Sequence, residues 1–281
     1  ASSANTTTLR SAGNLTLQGY SYAASGSGRG VDLNNDVIAA SGTVSMSGQH
    51  NTGATYAISL SGSTSITAGT GVTLESLNDN TGTIALLSSG GIDGGSGTVL
   101  MRAANYAFGG ADRTITTTGV LTIEPDADEN SFASSFDNQY LNPVSVTGLT
   151  LGKSSNASAI TLSRAISLSG PVSIYGGSID VNANITANSG NILLDADTGS
   201  TLNQSSTGIL LDDVITIETV TSGNLTLIGR SGDTGSGFDG IDASSANTTT
   251  LRSAGNLTLQ GYSYAASGSG RGVDLNNDVI A

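Results

Sequence analysis

The sequence predicts an all-β fold, a right-handed parallel β-helix (β-solenoid) with about nine coils per 242-residue repeat. Three observations predict it. A long segment recurs verbatim, a shorter glycine-bounded phrase recurs within that period, and apolar residues alternate as in strands. No comparable run places apolar residues at the i, i+3, i+4 and i+7 positions that an amphipathic helix needs, so we expect almost no helix.

The long repeat divides the chain into two parts. Residues 1–39 reappear unchanged as residues 243–281, an offset of 242 (243 − 1 = 242). We therefore expect residues 1–242 to form one complete tandem repeat and residues 243–281 to begin the next, identical one. Units of such arrays bury their apolar edges on one another. Since the chain opens without Met and stops within a pattern, at Ile280 and Ala281, we expect it to be a segment of something much longer.

The short phrase has the form Gly-(Asn/Thr)-apolar-(Thr/Ser)-apolar and marks one coil at each occurrence. It begins at Gly13, Gly42, Gly71, Gly97, Gly119, Asn142, Gly170, Gly190 and Gly223, and Gly255 starts the cycle again. These spacings give nine coils averaging about 27 residues, and three short strands are expected in each coil. Alternation places one face of each phrase inward, namely Leu15, Leu17, Val44, Met46, Leu225 and Leu227. Parallel strands stack about 4.8 Å apart, so nine coils would advance about 43 Å.

Composition excludes several classes of function. The net charge is −13 and the isoelectric point is about 4.1, which argues against a nucleic-acid partner. Cysteine is absent, so neither a disulfide nor a thiolate metal site can form. No stretch approaches 18 consecutive apolar residues, and we expect no membrane insertion in this segment.

One irregular segment, residues 124–142, carries the strongest candidate for site chemistry. Its carboxylate and amide groups at Asp126, Asp128, Asn130 and Asp137 partly match the spacing of an acidic calcium loop. Ser131 stands where such a loop needs Gly, and Asp137 replaces the usual bidentate Glu. The sequence therefore offers a calcium site at these four residues, with a solvated acidic loop as the alternative; we expect no other cofactor. We also expect this segment to leave one coil as a projecting insertion.

The remaining polar groups do not form a catalytic pattern. Asp212 and Asp213 are adjacent and would face opposite sides of a strand, whereas paired catalytic carboxylates must converge. His50 is the only histidine, and no Ser/His/Asp arrangement accompanies it. We therefore expect no enzyme activity. Tyr20, Tyr22 and Tyr56 fall in polar loops, where they could stack on sugars or on a neighbouring fibre, or fold back over the coil edge.

The phrases GNLTLQG, GNLTLIG and GNILLDA, set in coils rich in Thr, Ser and Asn, resemble the repeats of filamentous-haemagglutinin-like giant adhesins of Gram-negative bacteria. The resemblance covers nearly the whole chain. It implies a secreted or surface-displayed β-helical fibre made by one very long polypeptide and used in adhesion, aggregation or matrix building. It carries no catalytic motif.

These observations together predict a structural repeat unit of a giant extracellular bacterial fibre or adhesin, acting in cell-surface filament formation and in adhesion or cell-cell contact. The expected partners are further copies of the same repeat in one long chain, with neighbouring fibres or cell-surface glycans beside them. The alternative is a carbohydrate-binding or carbohydrate-cleaving β-helix like a tailspike. Verbatim repetition favours the structural interpretation, because a carbohydrate-cleaving solenoid usually has one groove and no reason to repeat it.

Overall fold

The structure, a computed structural model, describes residues 8–22, 28–50, 56–77, 81–87, 90–110, 112–126, 129–196, 206–232, 236–243, 248–264, 266–275 and 279–280. These residues form 31 short β-strands and no helix. It follows that none of them lies in a helix able to span a membrane. The chain separates into two compact units, Ala1–Glu129 with Tyr140–Thr147, and Asn130–Gln139 with Gly148–Ala281. We call them unit 1 and unit 2.

Unit 1 is built from parallel strands of two to seven residues. Its strands are β1 (Leu9–Ser11), β2 (Leu15–Ser21), β3 (Arg29–Leu33), β4 (Val37–Ala39), β5 (Val44–His50), β6 (Tyr56–Leu60), β7 (Ile66–Ala68), β8 (Val72–Ser76), β9 (Thr83–Leu86), β10 (Ile92–Asp93), β11 (Val99–Arg102), β12 (Asn105–Phe108), β13 (Arg113–Thr116), β14 (Val120–Glu124) and β16 (Leu141–Val144). They form three sheets in the orders β1-β4-β7-β10-β13-β16, β2-β5-β8-β11-β14 and β3-β6-β9-β12. Neighbours within each sheet are three strands apart in the sequence, so each coil supplies one strand to each face.

Unit 2 follows the same plan. Its strands are β15 (Phe136–Asp137), β17 (Gly148–Leu151), β18 (Ile160–Leu162), β19 (Ile166–Leu168), β20 (Val172–Gly176), β21 (Ile179–Val181), β22 (Ile185–Ser189), β23 (Ile192–Ala196), β24 (Ile209–Leu211), β25 (Thr216–Ser222), β26 (Leu225–Arg230), β27 (Ile241–Ala243), β28 (Thr250–Arg252), β29 (Leu257–Tyr262), β30 (Val273–Leu275) and β31 (Val279–Ile280). The three faces run β17-β20-β23-β26-β29, β15-β18-β21-β24-β27-β30 and β19-β22-β25-β28-β31. This stacking of parallel strands in sequence order confirms the predicted all-β parallel β-helix.

The core consists of apolar side chains stacked in register from coil to coil. In unit 1, Val44 pairs with Val72, which pairs with Val99, and all three are at most 1% exposed. In unit 2, Ile192 pairs with Leu225 and both are fully buried. The inward positions predicted for Val44, Met46, Leu225 and Leu227 are confirmed, since each is 0% exposed. Leu15 and Leu17 also lie on the inner side of their strand but are only half-buried, because β2 pairs with β5 alone among the described strands.

The coil phrase assigned to Asn142 is misplaced. Residues Leu141–Val144 form β16, which pairs with β13 on a different face, and the phrase strand of that coil is β17, whose residues pair with β20. Pro143 explains the difference, because proline cannot donate a ladder hydrogen bond and is tolerated in a terminal strand such as β16. Ser145, with φ of 57°, then turns the chain before β17.

The segment 124–142 is not a projecting insertion in its described part. Phe132 and Phe136 are 3% and 4% exposed, and their rings stack with centroids 5.5 Å apart. Phe136 begins β15, which pairs with β18. These two aromatic side chains are therefore built into the wall of a coil. Burial of two phenyl rings stabilises this path more than exposure in a loop would.

Candidate functional site

The four residues predicted to bind calcium lie in different settings. Asp126 belongs to unit 1 and is 5% exposed, Asn130 and Asp137 belong to unit 2 and are more accessible, and Asp128 lies outside the described residues. The Asp137 carboxylate accepts a hydrogen bond from the Gln139 N–H at 2.9 Å and one from the Ser163 hydroxyl at 3.1 Å. Calcium binding at Asp126, Asp128, Asn130 and Asp137 thus stays a prediction.

A second acidic group escaped the sequence analysis. The carboxylates of Asp239, Asp242 and Asp274 offer oxygens that all lie within 4.8 Å of one another. Asp242 and Asp274 are register partners on adjacent strands, β27 and β30, and Asp239 lies in the turn before β27. Residue spacing alone does not reveal this pairing, because the coils differ in length. Arg271 partly neutralises the negative charge of this group. Its guanidinium pairs with Asp274, and its backbone N–H donates to Asp239.

Two aspartates of unit 2 have perturbed ionisation. Burial raises the pKa of Asp180, and the nearby charges of Asp212 and Asp137 raise it further, against a hydrogen bond from Asn182. Burial likewise raises the pKa of Asp195, although Arg230 lies 3.0 Å from its carboxylate. Asp212 and Asp213, the pair considered for glycoside hydrolysis, are both exposed beyond the end of β24.

Arg113 is a buried cation that sequence analysis did not single out. Its side chain is 0% exposed at the start of β13 and donates to the backbone carbonyls of Thr64 (3.3 Å) and Gly90. Burial lowers the pKa of this arginine to about 10. The guanidinium joins carbonyls of successive coils, which is a structural use of a charged group.

Exposed tyrosines form the most distinctive surface of unit 1. Tyr20 and Tyr22 are 48% and 84% exposed, and together with Ser21, Gln49 and His50 they line an open cleft of about 410 Å³. We call this surface the tyrosine cleft. Its described lining contains no Asp, Glu, Lys or Arg, and His50 within it is 7% exposed. The cleft could take a flat, polyhydroxylated ligand against the rings or another protein edge.

Unit 2 contains the second copy of this tyrosine-bearing segment. There, the side of the segment that faces the preceding coil is covered. Tyr262 and Tyr264, which correspond to Tyr20 and Tyr22, stack with ring centroids 6.4 Å apart. The Arg230 guanidinium lies 5.7 Å from the Tyr262 ring centroid, and the Tyr264 N–H donates to Ser231 Oγ at 2.9 Å. In this copy the tyrosines therefore contact the coil that precedes them in the sequence.

Comparison of the chain with protein-family models, curated proteins and solved structures gives no match. Function must therefore be argued from the repeat and its contacts.

Proposed function

We propose that the chain is a structural repeat unit of a giant extracellular bacterial fibre or adhesin. It acts in cell-surface filament formation and in adhesion or cell-cell contact. The support comes from the fold and from the repeat: a parallel β-helix extends by adding coils, and verbatim copies supply further coils of matching shape. The secreted, cell-surface location rests on the resemblance of the GNLTL phrases to filamentous-haemagglutinin-like adhesins.

The observation that carries the proposal is the continuity of stacking where one repeat passes into the next. The second copy places β28, β29 and β30 directly on β25, β26 and β27 of the preceding sequence, each in parallel register. Leu225 pairs with Leu257 and Leu227 with Leu259, so the core ladder runs on past residue 242. A unit that begins its successor in this way is suited to long arrays, and we propose no catalytic role for it.

The tyrosine cleft favours a second candidate function, binding of a cell-surface glycan. Tyrosine rings beside Gln49 and His50 combine an apolar platform with hydrogen-bonding groups. Contacts in the second copy weigh against glycan binding as the main function, since Tyr262 lies beside Arg230 and Tyr264 donates to Ser231. In an array, the preceding repeat would make the same contacts with the tyrosines of the next copy.

Low-dose electron imaging of the native material tests the proposal. Thin continuous fibres with an axial repeat of about 43 Å are expected from nine coils at the parallel-strand spacing. Compact particles of fixed size would contradict it. A glycan array probed with the 281-residue chain and with its Tyr22→Ala variant tests the alternative, which needs binding that the variant loses.

A further inference from the structure

An open groove of about 210 Å³ lies on the outer side of one sheet of unit 1. Its polar lining consists of Ser65, Thr67, Asp93 and Thr116, and Gly91 lies among them. The groove crosses β7, β10 and β13, and β10 is paired on both sides, with β7 and with β13. It therefore lies inside a sheet, away from the sheet's edges. We call it the Asp93 groove.

The parallel register brings the polar side chains of the groove together. Asp93 is the register partner of Thr67 on one side and of Thr116 on the other. Ile92, the residue before Asp93, is buried, and side chains alternate along a strand, so Asp93 and its two partners face outward. Neighbouring parallel strands lie about 4.8 Å apart, which places one carboxylate between two hydroxyl groups on the outer surface.

Gly91 leaves the floor of the groove open, although the backbone does not require glycine there. A Cβ at Gly91 would have as its nearest neighbour the Thr114 carbonyl oxygen, at an ordinary contact distance of 3.7 Å, and its φ lies outside the left-handed region. By contrast, a Cβ on Gly90 would lie 1.8 Å from the Thr64 carbonyl oxygen, and Gly95 has a φ of 58°. The path of the chain thus accounts for Gly90 and Gly95, whereas at Gly91 the missing side chain leaves space for a ligand.

The chemistry of the lining suits a cationic hydrogen-bond donor. One carboxylate oxygen of Asp93 accepts the Gly95 N–H at 2.9 Å, and no hydrogen bond to the other oxygen is present in the described part of the chain. The hydroxyl oxygens of Ser65, Thr67 and Thr116 add further acceptors. An ammonium group has three donors and no acceptor, so it matches this set. An anion would meet the Asp93 charge with no Lys or Arg in the described lining to offset it.

We propose that the Asp93 groove binds a small amino sugar, whose ammonium group pairs with Asp93 and whose ring lies over Gly91. The volume of the groove supports a ring: 210 Å³ equals the space of about seven water molecules, more than an ammonium group fills alone. It is below the range of about 300–1,000 Å³ that larger ligands occupy. The net charge of −13 attracts a cationic ligand to the chain. The site does not depend on the proposed array, because every lining residue belongs to unit 1.

Ligand-observed NMR titration of the 281-residue chain with D-glucosamine tests the proposal. The titration is made at about pH 6, where the amine is protonated. D-glucose and N-acetyl-D-glucosamine are the matched probes, since each keeps the ring and lacks the charge. Glucosamine should bind at least about tenfold more tightly than either of them, because only glucosamine makes a charge-assisted hydrogen bond to Asp93.

Three variants locate the binding. Asp93→Asn keeps an oxygen for the Gly95 N–H and removes the charge, so the affinity for glucosamine should fall at least about tenfold. Gly91→Val fills the floor of the groove and should abolish binding. Asp213→Asn changes the net charge by the same amount at an exposed position of unit 2, and it should bind glucosamine as the wild type does. Circular dichroism checks that each variant is folded, and if Gly91→Val is not, the two Asp→Asn variants decide.

Each contrary outcome overturns the proposal. Absence of glucosamine binding does so directly, and equal binding by the wild type and Asp93→Asn places the sugar elsewhere on the chain. Equal affinities for glucosamine and glucose would show that the ammonium group contributes nothing. If Nα-acetyl-lysine amide binds as tightly as glucosamine, the ring contributes nothing, and the groove recognises a lysine side chain of a protein instead. None of these results changes the expected appearance of the fibres in electron images, so the proposed function stands or fails separately.

Discussion

At the scale of single residues, Tyr106 links the ionisation of one side chain to the stability of unit 1. Its hydroxyl lies 2.8 Å from the Met101 carbonyl oxygen and 3.0 Å from the Glu124 backbone oxygen. Burial raises the pKa of Tyr106 well above 10, and the Glu124 charge raises it further. Above pH 10 the unfolded chain releases this proton while the folded chain keeps it, so stability is lost as the pH rises.

The Tyr106→Phe variant should therefore be less stable at pH 7 by about 1 kcal/mol, since it lacks the hydroxyl's hydrogen bonds. Its deficit should shrink above pH 10, where the wild type loses stability and the variant has no such proton to lose. Urea unfolding at a series of pH values measures both effects. Tyr22→Phe, at an 84% exposed position, is the control and should match the wild type at pH 7. A constant deficit for Tyr106→Phe at every pH would contradict the assignment.

Asp180 gives a pH dependence of the same sign in unit 2, but in the acidic range. One of its carboxylate oxygens accepts a hydrogen bond from Asn182 at 3.1 Å, and the other is buried without a hydrogen-bond partner. Because burial and the charges of Asp212 and Asp137 raise the pKa of Asp180, the folded chain takes up this proton at a higher pH than the unfolded chain. The charged carboxylate therefore costs stability at neutral pH, and acidification relieves that cost.

Replacement of Asp180 by Asn should stabilise the chain at pH 7, and the gain should fade as the pH approaches 4. Thermal unfolding followed by circular dichroism at both pH values measures the difference. Asp213→Asn, at an exposed position, is the comparison and should change stability little. A loss of stability in the Asp180→Asn variant at pH 7 would show the reverse. Interactions of the carboxylate would then stabilise the fold by more than its desolvation costs.

At the scale of the strand, the glycine that follows the coil phrase in β5 has a steric role. A Cβ on Gly48 would lie 2.0 Å from the Ala57 carbonyl oxygen, because the backbone entering β6 passes directly over it. Gly13, which begins a phrase, has no atom within 4 Å of such a Cβ. Gly48→Ala should lower the free energy of unfolding by about 2 kcal/mol, whereas Gly13→Ala should be nearly neutral. Denaturant titration compares the pair, and equal losses would refute the close approach.

The alternation of the phrases allowed the fold and the inward faces to be predicted, because one strand period fixes which side is buried. The coil around Asn142 could not be placed from the pattern, since NPVSV alternates as well as GLTL does and only Pro143 argues against it. The Asp239, Asp242 and Asp274 group depends on pairing across a coil of variable length, which residue spacing does not fix. Arg113 was missed because a charged residue in a strand ordinarily indicates the solvent face.

The segment 124–142 retains its candidate role in ion binding although its described part does not project. Isothermal titration of the 281-residue chain with Ca²⁺ tests this, with an Asp126→Ala/Asp128→Ala variant as the comparison. Calcium held by carboxylates should release heat and raise the thermal stability, and the variant should lose both effects. Mg²⁺ at equal concentration is the control for general screening of charge. If Ca²⁺ releases no heat and does not raise the thermal stability, these carboxylates are solvated groups that hold no ion.

At the scale of the whole molecule, charge opposes association of copies. Each chain carries a net charge of −13, so two copies repel one another at low ionic strength. The repulsion falls as salt shortens the screening length to about 10 Å at 0.1 M. Apolar contacts between copies are not weakened by this screening.

Self-association of the 281-residue chain should accordingly increase with salt. We expect sedimentation velocity to show a larger fraction of associated chains at about 0.5 M NaCl than at about 0.05 M NaCl, because the screening length shortens between them. Circular dichroism at the two salt concentrations is the control, and the β-structure should be the same at both, since the core is apolar. If association instead declines with salt, ion pairs between copies contribute more to it than apolar contacts do.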